Sequence, residues 1–235
     1  MNILIESKRL GTWSPVMASA HVPVDQVTLA VLHGQELALW RNKQGTVQAW
    51  ENRCPHRGTR FTLGRIIDGE LSCGYHGWRF ASSGKCTAIP AHPNMTPPKT
   101  ICANAYSVTE RFGMVWVALG TPDEDVPAVG PLADSDRHAV FCRSFTIYRS
   151  AEEVSHQVLQ RRTDYLAIHG NSILIEENGP AVQSILLFQP MTAEKCVVHL
   201  WVSCTKPKPD EAALKRKYIE QFKRLRQEIE LRTAA

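Results

Sequence analysis

A chain of 235 residues, 43% hydrophobic and 21% charged, can bury a real core and is long enough for one or two domains. No apolar run approaches the roughly 20 residues that span a bilayer, and MNILIESKRLGTW has neither a basic lead nor a small-residue cleavage site, so neither a membrane span nor a signal peptide is expected. The net charge of +4, with no basic stripe interleaved with aromatics outside the last helix, argues against a nucleic-acid partner.

In chain order, residues 1–26 lead into a run of short β segments. VTLAVL, ELALW and TVQAW, separated by Gly34 and by Lys43-Gln44-Gly45, predict a three-stranded meander beginning at Val27. Arg65–Cys73 reads as a hairpin turning at Asp68-Gly69, and Ser82-Ser83-Gly84 as a further tight turn between Trp78–Phe80 and Lys85–Thr87. Four prolines between Pro90 and Pro98 exclude a central strand or helix there. Strands return at AYSVTE and GMVWVAL, split by Arg111-Phe112-Gly113.

The Pro-rich, acidic stretch Thr121–His138 is expected to be a linker, within 121–140. Phe141–Arg149 reads as a strand. Ser150 then caps a helix in a capping box with Glu153, running to about Arg162. The segments DYLAIHG, SILIEE, AVQSILLFQ and CVVHLWVSCT predict an antiparallel sheet, with breaks at Asn178-Gly179 and Pro190-Met191-Thr192. Asp210 caps a last helix whose apolar face is Leu214, Tyr218, Phe222, Leu225 and Ile229.

Chemistry concentrates in the stretch from Cys54 to Trp78. Cys54-Pro55-His56 is followed, sixteen residues later, by Cys73-Gly74-Tyr75-His76. Two short loops thus each supply one Cys and one His. Thiolate and imidazole together suit an iron–sulfur cluster or zinc. A Rieske centre needs this division, with one iron of a [2Fe–2S] cluster held by two Cys and the other by two His. A structural Cys2His2 zinc site is the competing reading, but its ligand pairs are usually C-x2–4-C and H-x3–5-H. Gly58 and Gly77 follow the histidines and Gly74 precedes Tyr75, each able to turn sharply and bring an N–H close to a sulfur. The other five cysteines, Cys86, Cys102, Cys142, Cys196 and Cys204, form no second motif. They read as small hydrophobes in a reducing cytoplasm.

CPHRG…CGYHGW resembles the cluster motif of Rieske non-haem iron oxygenases. It is less similar to the Rieske proteins of respiratory chains, whose loops carry two more cysteines as a disulfide. Thr59 and Tyr75 stand at those positions here. The resemblance covers residues 10–120 and implies an α+β, mostly β chain: an antiparallel Rieske domain over 1–120, then a reduced catalytic-like domain over 141–235, a small antiparallel sheet with helices resembling a truncated helix-grip fold. It implies Cys54 and Cys73 on one iron, His56 and His76 on the other, and Tyr75 and Trp78 shielding the cluster.

In that family the second domain binds mononuclear Fe(II) through two His and a carboxylate, in the pattern acidic residue, two spacers, His, four spacers, His. Glu153 and His156 match its first half, but Arg161 stands where the second His would be. A guanidinium has no lone pair for a metal. Gln221 stands where the late-helix Asp is expected, and the domain is short. Replacement ligands from His169, His199 and Asp164 are the remaining candidates. The expectation is therefore a [2Fe–2S] cluster without mononuclear iron on this chain.

The implied function is the Rieske subunit of a multicomponent oxygenase. It would pass electrons from a reductase or ferredoxin to a mononuclear-iron oxygenase subunit in a trimeric or hetero-oligomeric assembly. The alternative is a complete minimal oxygenase that hydroxylates or demethylates a small aromatic or methylated substrate. A colourless structural zinc module is the third reading.

Overall fold

The computed structural model describes residues 10–122, 124–161, 165–169 (backbone only), 171–176, 181–205 and 209–231. The chain forms two compact units, residues 1–125 and 126–235.

The first unit is built from three antiparallel sheets. One has the order β1 (Ser14–Ala18), β10 (Met114–Ala118), β9 (Ser107–Arg111). A second is the meander β2 (Thr28–Leu32), β3 (Gln35–Arg41), β4 (Val47–Glu51), as expected from its turn residues. The third runs β5 (Arg65–Ile67), β6 (Glu70–Ser72), β7 (Arg79–Phe80), β8 (Cys86–Ala88). The β5–β6 hairpin turns where the sequence indicates, with Asp68 and Gly69 at φ +55° and +79°, the double left-handed signature of a tight hairpin turn. Phe112 and Gly113 do the same between β9 and β10, at +55° and +69°.

Strand β3 explains why ELALW carries no polar alternation. Side chains alternate between the two faces of a strand, and here both faces are buried. Leu37 and Leu39 enter one core with Val16, Leu32, Ala49 and Val115. Ala38 and Trp40 enter a second with Trp50, Phe61, Phe80, Cys54 and Cys73. Trp50 packs edge-on against Trp40 (centroids 4.9 Å apart), Phe61 (5.6 Å) and Phe80 (6.4 Å), the geometry that aromatic quadrupoles favour. This aromatic block is the floor beneath both cysteines.

The second unit holds a five-stranded antiparallel sheet. Its order is β11 (Arg137–Ile147), β15 (Lys195–Thr205), β14 (Val182–Thr192), β13 (Ser172–Glu176), β12 (Tyr165–His169). Short helix α1 (Gly130–Ala133) precedes it, α2 (Ala151–Arg161) follows β11, and α3 (Glu211–Leu231) ends it. Val154 and Val158 of α2 and Tyr218, Phe222 and Ile229 of α3 pack with Phe145, Ile147, Val198 and Leu200 into one core. Asp210 caps α3 as expected, accepting from the Ala212 and Ala213 amides at 2.9 and 3.1 Å.

Three local expectations are revised. The stretch 121–140 is not all linker, because α1 and the first residues of β11 lie in it. Pro190-Met191-Thr192 is not a break: β14 runs through it with a bulge between Pro190 and Thr192, a strand position where proline is tolerated. The capping box closes from one side only. Ser150 Oγ accepts the Glu153 amide at 3.0 Å, while the Glu153 carboxylate turns to Arg149 Nε, 3.3 Å away. The Asn178-Gly179 break lies outside the described residues.

Candidate metal centre

The two cysteine loops share one backbone frame. In the first, the Gly58 amide donates to the Cys54 carbonyl (2.8 Å) and the Cys54 amide donates to the Thr59 carbonyl (2.8 Å). In the second, the Gly77 amide donates to the Cys73 carbonyl (3.0 Å) and the Cys73 amide to the Trp78 carbonyl (2.9 Å). Both frames close on a glycine four residues after the cysteine, at φ +73° and +70°, where an L side chain is strained. The Gly58 and Gly77 amides therefore close their loops on the carbonyls of the two cysteines. The amides that face the Cys54 sulfur are those of His56 and Arg57. Gly74 is required for another reason: a Cβ there would stand 2.2 Å from the Leu63 carbonyl oxygen.

Within these frames the imidazoles sit at different offsets, His56 two residues after its cysteine and His76 three after its own. Their Nδ1 atoms nevertheless come to 3.2 Å from each other. Two nitrogens on one tetrahedral metal, with bonds of about 2.0–2.1 Å, stand about 3.3 Å apart, so the pair fits a single iron. Cys54 and Cys73 pack together in the buried core, and burial pushes the Cys54 thiol up to about 12. The thiolate that iron needs is therefore stabilised by the metal itself. The donor set is two thiols inside and two imidazoles outside, which fits a [2Fe–2S] group of mixed ligation.

Aromatic rings flank each imidazole. Trp78 stacks on His56 with centroids 4.1 Å apart and planes 7° off parallel, and Tyr75 stacks on His76 at 3.8 Å. Tyr75 is 59% exposed and Trp78 half-buried. His56 is half-buried and His76 exposed. Burial, then the adjacent His76 ring and Arg57 guanidinium, hold the His56 imidazole below its ordinary pKa. A brace invisible in the sequence anchors the first loop. Buried Asn52 accepts the Thr62 amide (2.9 Å) and donates to Glu36 (3.1 Å), and Glu36 grips the Arg60 guanidinium at 2.8 and 2.6 Å.

Residues 12–106 match the Rieske [2Fe–2S] domain family. The chain carries a Rieske [2Fe–2S] domain and is homologous to Rieske non-haem iron oxygenases. The oxidoreductase NdmD of Pseudomonas putida is 33% identical over 210 residues, 82% of this chain and 36% of NdmD. The 3-chlorobenzoate-3,4-dioxygenase oxygenase subunit of Comamonas testosteroni is 37% identical over 112 residues, 46% of this chain and 26% of that subunit. The chain thus spans well under two thirds of either relative's length. NdmA of Pseudomonas putida CBB5 has the same fold, with a TM-score of 0.80 at 17% identity, over 96% of this chain and 82% of NdmA.

Among the described residues, those of the second unit singled out in the sequence do not come together. Exposed Glu153 pairs with Arg149, and exposed His156 lies 3.5 Å from the Gln160 amide. Arg161 donates from Nη1 to the Gln157 carbonyl (2.9 Å) and lies 3.9 Å from Glu228 of α3. His199 is buried, its two ring nitrogens 2.8 Å from Ser144 Oγ and 3.1 Å from Gln189 Oε1. Gln221 is exposed at the mouth of a cavity of about 20 Å³ between α3 and the sheet, lined also by Ser184, Leu200 and Phe222, room for roughly one water. Asp164 and the His169 side chain lie outside the described residues. Among the described residues no three His, Cys, Asp or Glu side chains are grouped to share one ion. No helix among them is long and apolar enough to cross a membrane.

Proposed function

We propose that the chain is an electron-transfer component of a multicomponent oxygenase, receiving electrons from a reductase or ferredoxin and delivering them to a mononuclear iron on a partner subunit. The observation that carries this reading is the contrast between its two units. The first presents a complete set of ligands whose imidazole nitrogens meet at 3.2 Å. In the second, the position expected for a metal-ligating His is Arg161, committed to Gln157 and facing Glu228. Similarity to NdmD supports it, since 82% of this chain is more than the first unit alone supplies. A Rieske domain followed by this second unit therefore has a counterpart within a larger protein described as an oxidoreductase.

When bound, the cluster supplies one-electron chemistry, at a potential raised above all-cysteine clusters by its imidazoles. Cys54 and Cys73 would hold one iron, and His56 and His76, whose Nδ1 atoms face each other, would hold the other. With Nδ1 turned inward, each ring leaves its Nε2 edge for solvent or for an acceptor on a docked partner. That edge is where a proton is held or released at the histidines. Trp78 and Tyr75 fix the planes of the two rings, so the nitrogens need no reorientation before iron arrives. The aromatic floor of Trp40, Trp50, Phe61 and Phe80 keeps water from the cysteine side.

The alternative is a complete minimal oxygenase with its own iron. Iron and acid-labile sulfide per chain on anaerobically purified protein, with EPR after reduction, separate the two. Two irons, two sulfides and a Rieske signal are expected; a third, mononuclear iron would overturn the electron-transfer assignment.

A further inference from the structure

We propose that the rim of the imidazole pair is the landing site of an acidic one-electron donor protein, an inference that rests on the electron-transfer reading above. The two ligand-bearing loops, residues 53–60 and 73–79, contain four arginines and no aspartate or glutamate. Two of the four are neutralised within the unit. Arg60 is gripped by Glu36, and Arg79 lies 3.5 Å from Asp68. Arg53 and Arg57 are exposed, and among the described residues neither has a carboxylate within ion-pair distance.

Both charges sit close to the imidazoles. Arg57 follows His56 directly and its charge is felt at that ring. Arg53 folds its guanidinium back over the loop, so that a Cβ on Gly58 would stand 3.2 Å from its Nε. Two uncompensated cations thus flank His56 in the same loop, next to exposed His76 and Tyr75. Lone charges at the rim of a redox edge steer an oppositely charged partner and raise its association rate more than they tighten the final complex. A permanent subunit would instead call for a broad apolar face with charge depleted at its centre. The surface here is a small charged rim around a few rings. It fits a donor that docks, delivers and leaves. The transfer oxidises the donor by one electron and reduces the loaded chain by one, and no bond is made or broken.

The test is stopped-flow reduction of the full, cluster-loaded chain by an acidic plant-type ferredoxin held reduced, followed by bleaching of the oxidised chain. Raising salt from about 20 to about 500 mM, which shortens the Debye length several-fold, slows the reaction about tenfold or more. Reduced methyl viologen, a cation, shows no such slowing. The charge reversal R53E/R57E lowers the low-salt ferredoxin rate about tenfold and flattens its salt dependence, while R53K/R57K keeps both. EPR confirms that each variant retains the Rieske signal. Should the double variant lose it, the neutral pair R53Q/R57Q, which removes both charges without adding a carboxylate beside Cys54 or His56, carries the test. An intact signal with a salt-independent ferredoxin rate, or with an unchanged rate in the charge-reversed variant, overturns this inference alone. A wild-type chain without a Rieske signal overturns the electron-transfer reading and this inference together.

Discussion

His56 and His76 reach a common point because their loops close identically while their offsets from cysteine differ by one residue. The difference lets each ring approach from its own side and still bring Nδ1 within 3.2 Å of the other. Among the described residues no set of three His, Cys, Asp or Glu gathers around one point, so no spare ligand is grouped with these four. Cys73→Ser and His76→Ala are therefore expected to abolish the Rieske EPR signal, and an intact signal in either variant would sink the ligand assignment. Ligand identity is legible in the sequence because two Cys and two His at these spacings are a local pattern. The brace of Asn52, Glu36 and Arg60 is not, because three polar residues spread over 24 positions leave no periodic or spaced signature. The direction of the glycine amides is hidden for a related reason: which N–H faces a sulfur depends on how the loop closes, not on where glycine permits a turn.

A second residue-scale expectation concerns acid. Arg41 donates to both carboxylate oxygens of Glu110 (2.8 and 2.7 Å) and to the carbonyls of Val22, Gly45 and Ser19. The guanidinium hydrogen bonds hold the Glu110 carboxyl below its ordinary pKa. A carboxylate whose folded pKa is depressed contributes stability above its unfolded pKa and loses it as pH falls through the folded one. Glu110→Gln is thus expected to cost about 1 kcal/mol at pH 7, a modest figure because Glu110 still meets solvent. The deficit shrinks as wild type and variant converge below the ordinary carboxylate range. Denaturation midpoints at neutral and acid pH check this; a deficit that grows on acidification would contradict it.

At the scale of elements, the glycines separate two kinds of necessity. Gly45 has φ +78° with open space where a Cβ would stand, nothing lying within 4 Å, so alanine there meets only the backbone penalty, about 1–2 kcal/mol. Gly74 would drive a methyl into the Leu63 carbonyl, which is backbone and cannot swing aside. Gly74→Ala is expected to cost clearly more than Gly45→Ala in denaturant titration and to lower cluster occupancy, which Gly45→Ala leaves alone. Equal costs would show that the close approach of the two loops does not constrain this position. The meander, both hairpins and the amphipathic α3 are readable because turn residues and periodicity are local signals. Pro190 in β14 is not: pairing with Cys196 on β15 outweighs its local preference for a break, and that pairing is tertiary. The same holds for Glu153, whose attraction to Arg149 replaces the capping contact that spacing alone predicts.

For the whole molecule, the two units differ in what holds them. The second is tied by apolar packing of α2 and α3 on its sheet and by a guanidinium reaching toward Glu228, none of which calls for iron. The first has its ligands embedded in its aromatic core. Arg161 stands out in the sequence because guanidinium chemistry is independent of fold, whereas the satisfaction of His199 by Ser144 and Gln189 depends on three strands meeting.

Strand β3 carries one further consequence, for the order in which the first unit assembles. Leu37 and Leu39 complete one core, Ala38 and Trp40 the other, so neither core can close before this strand is in register. The meander hairpins it forms with β2 and β4 are local in sequence and close with little loop entropy. They are therefore expected to nucleate the unit, with both cores condensing on a template that is already paired. On that order the cysteine loops would settle after the meander, open to delivery of iron and sulfide until Phe61 and Phe80 join Trp40 and Trp50 beneath them.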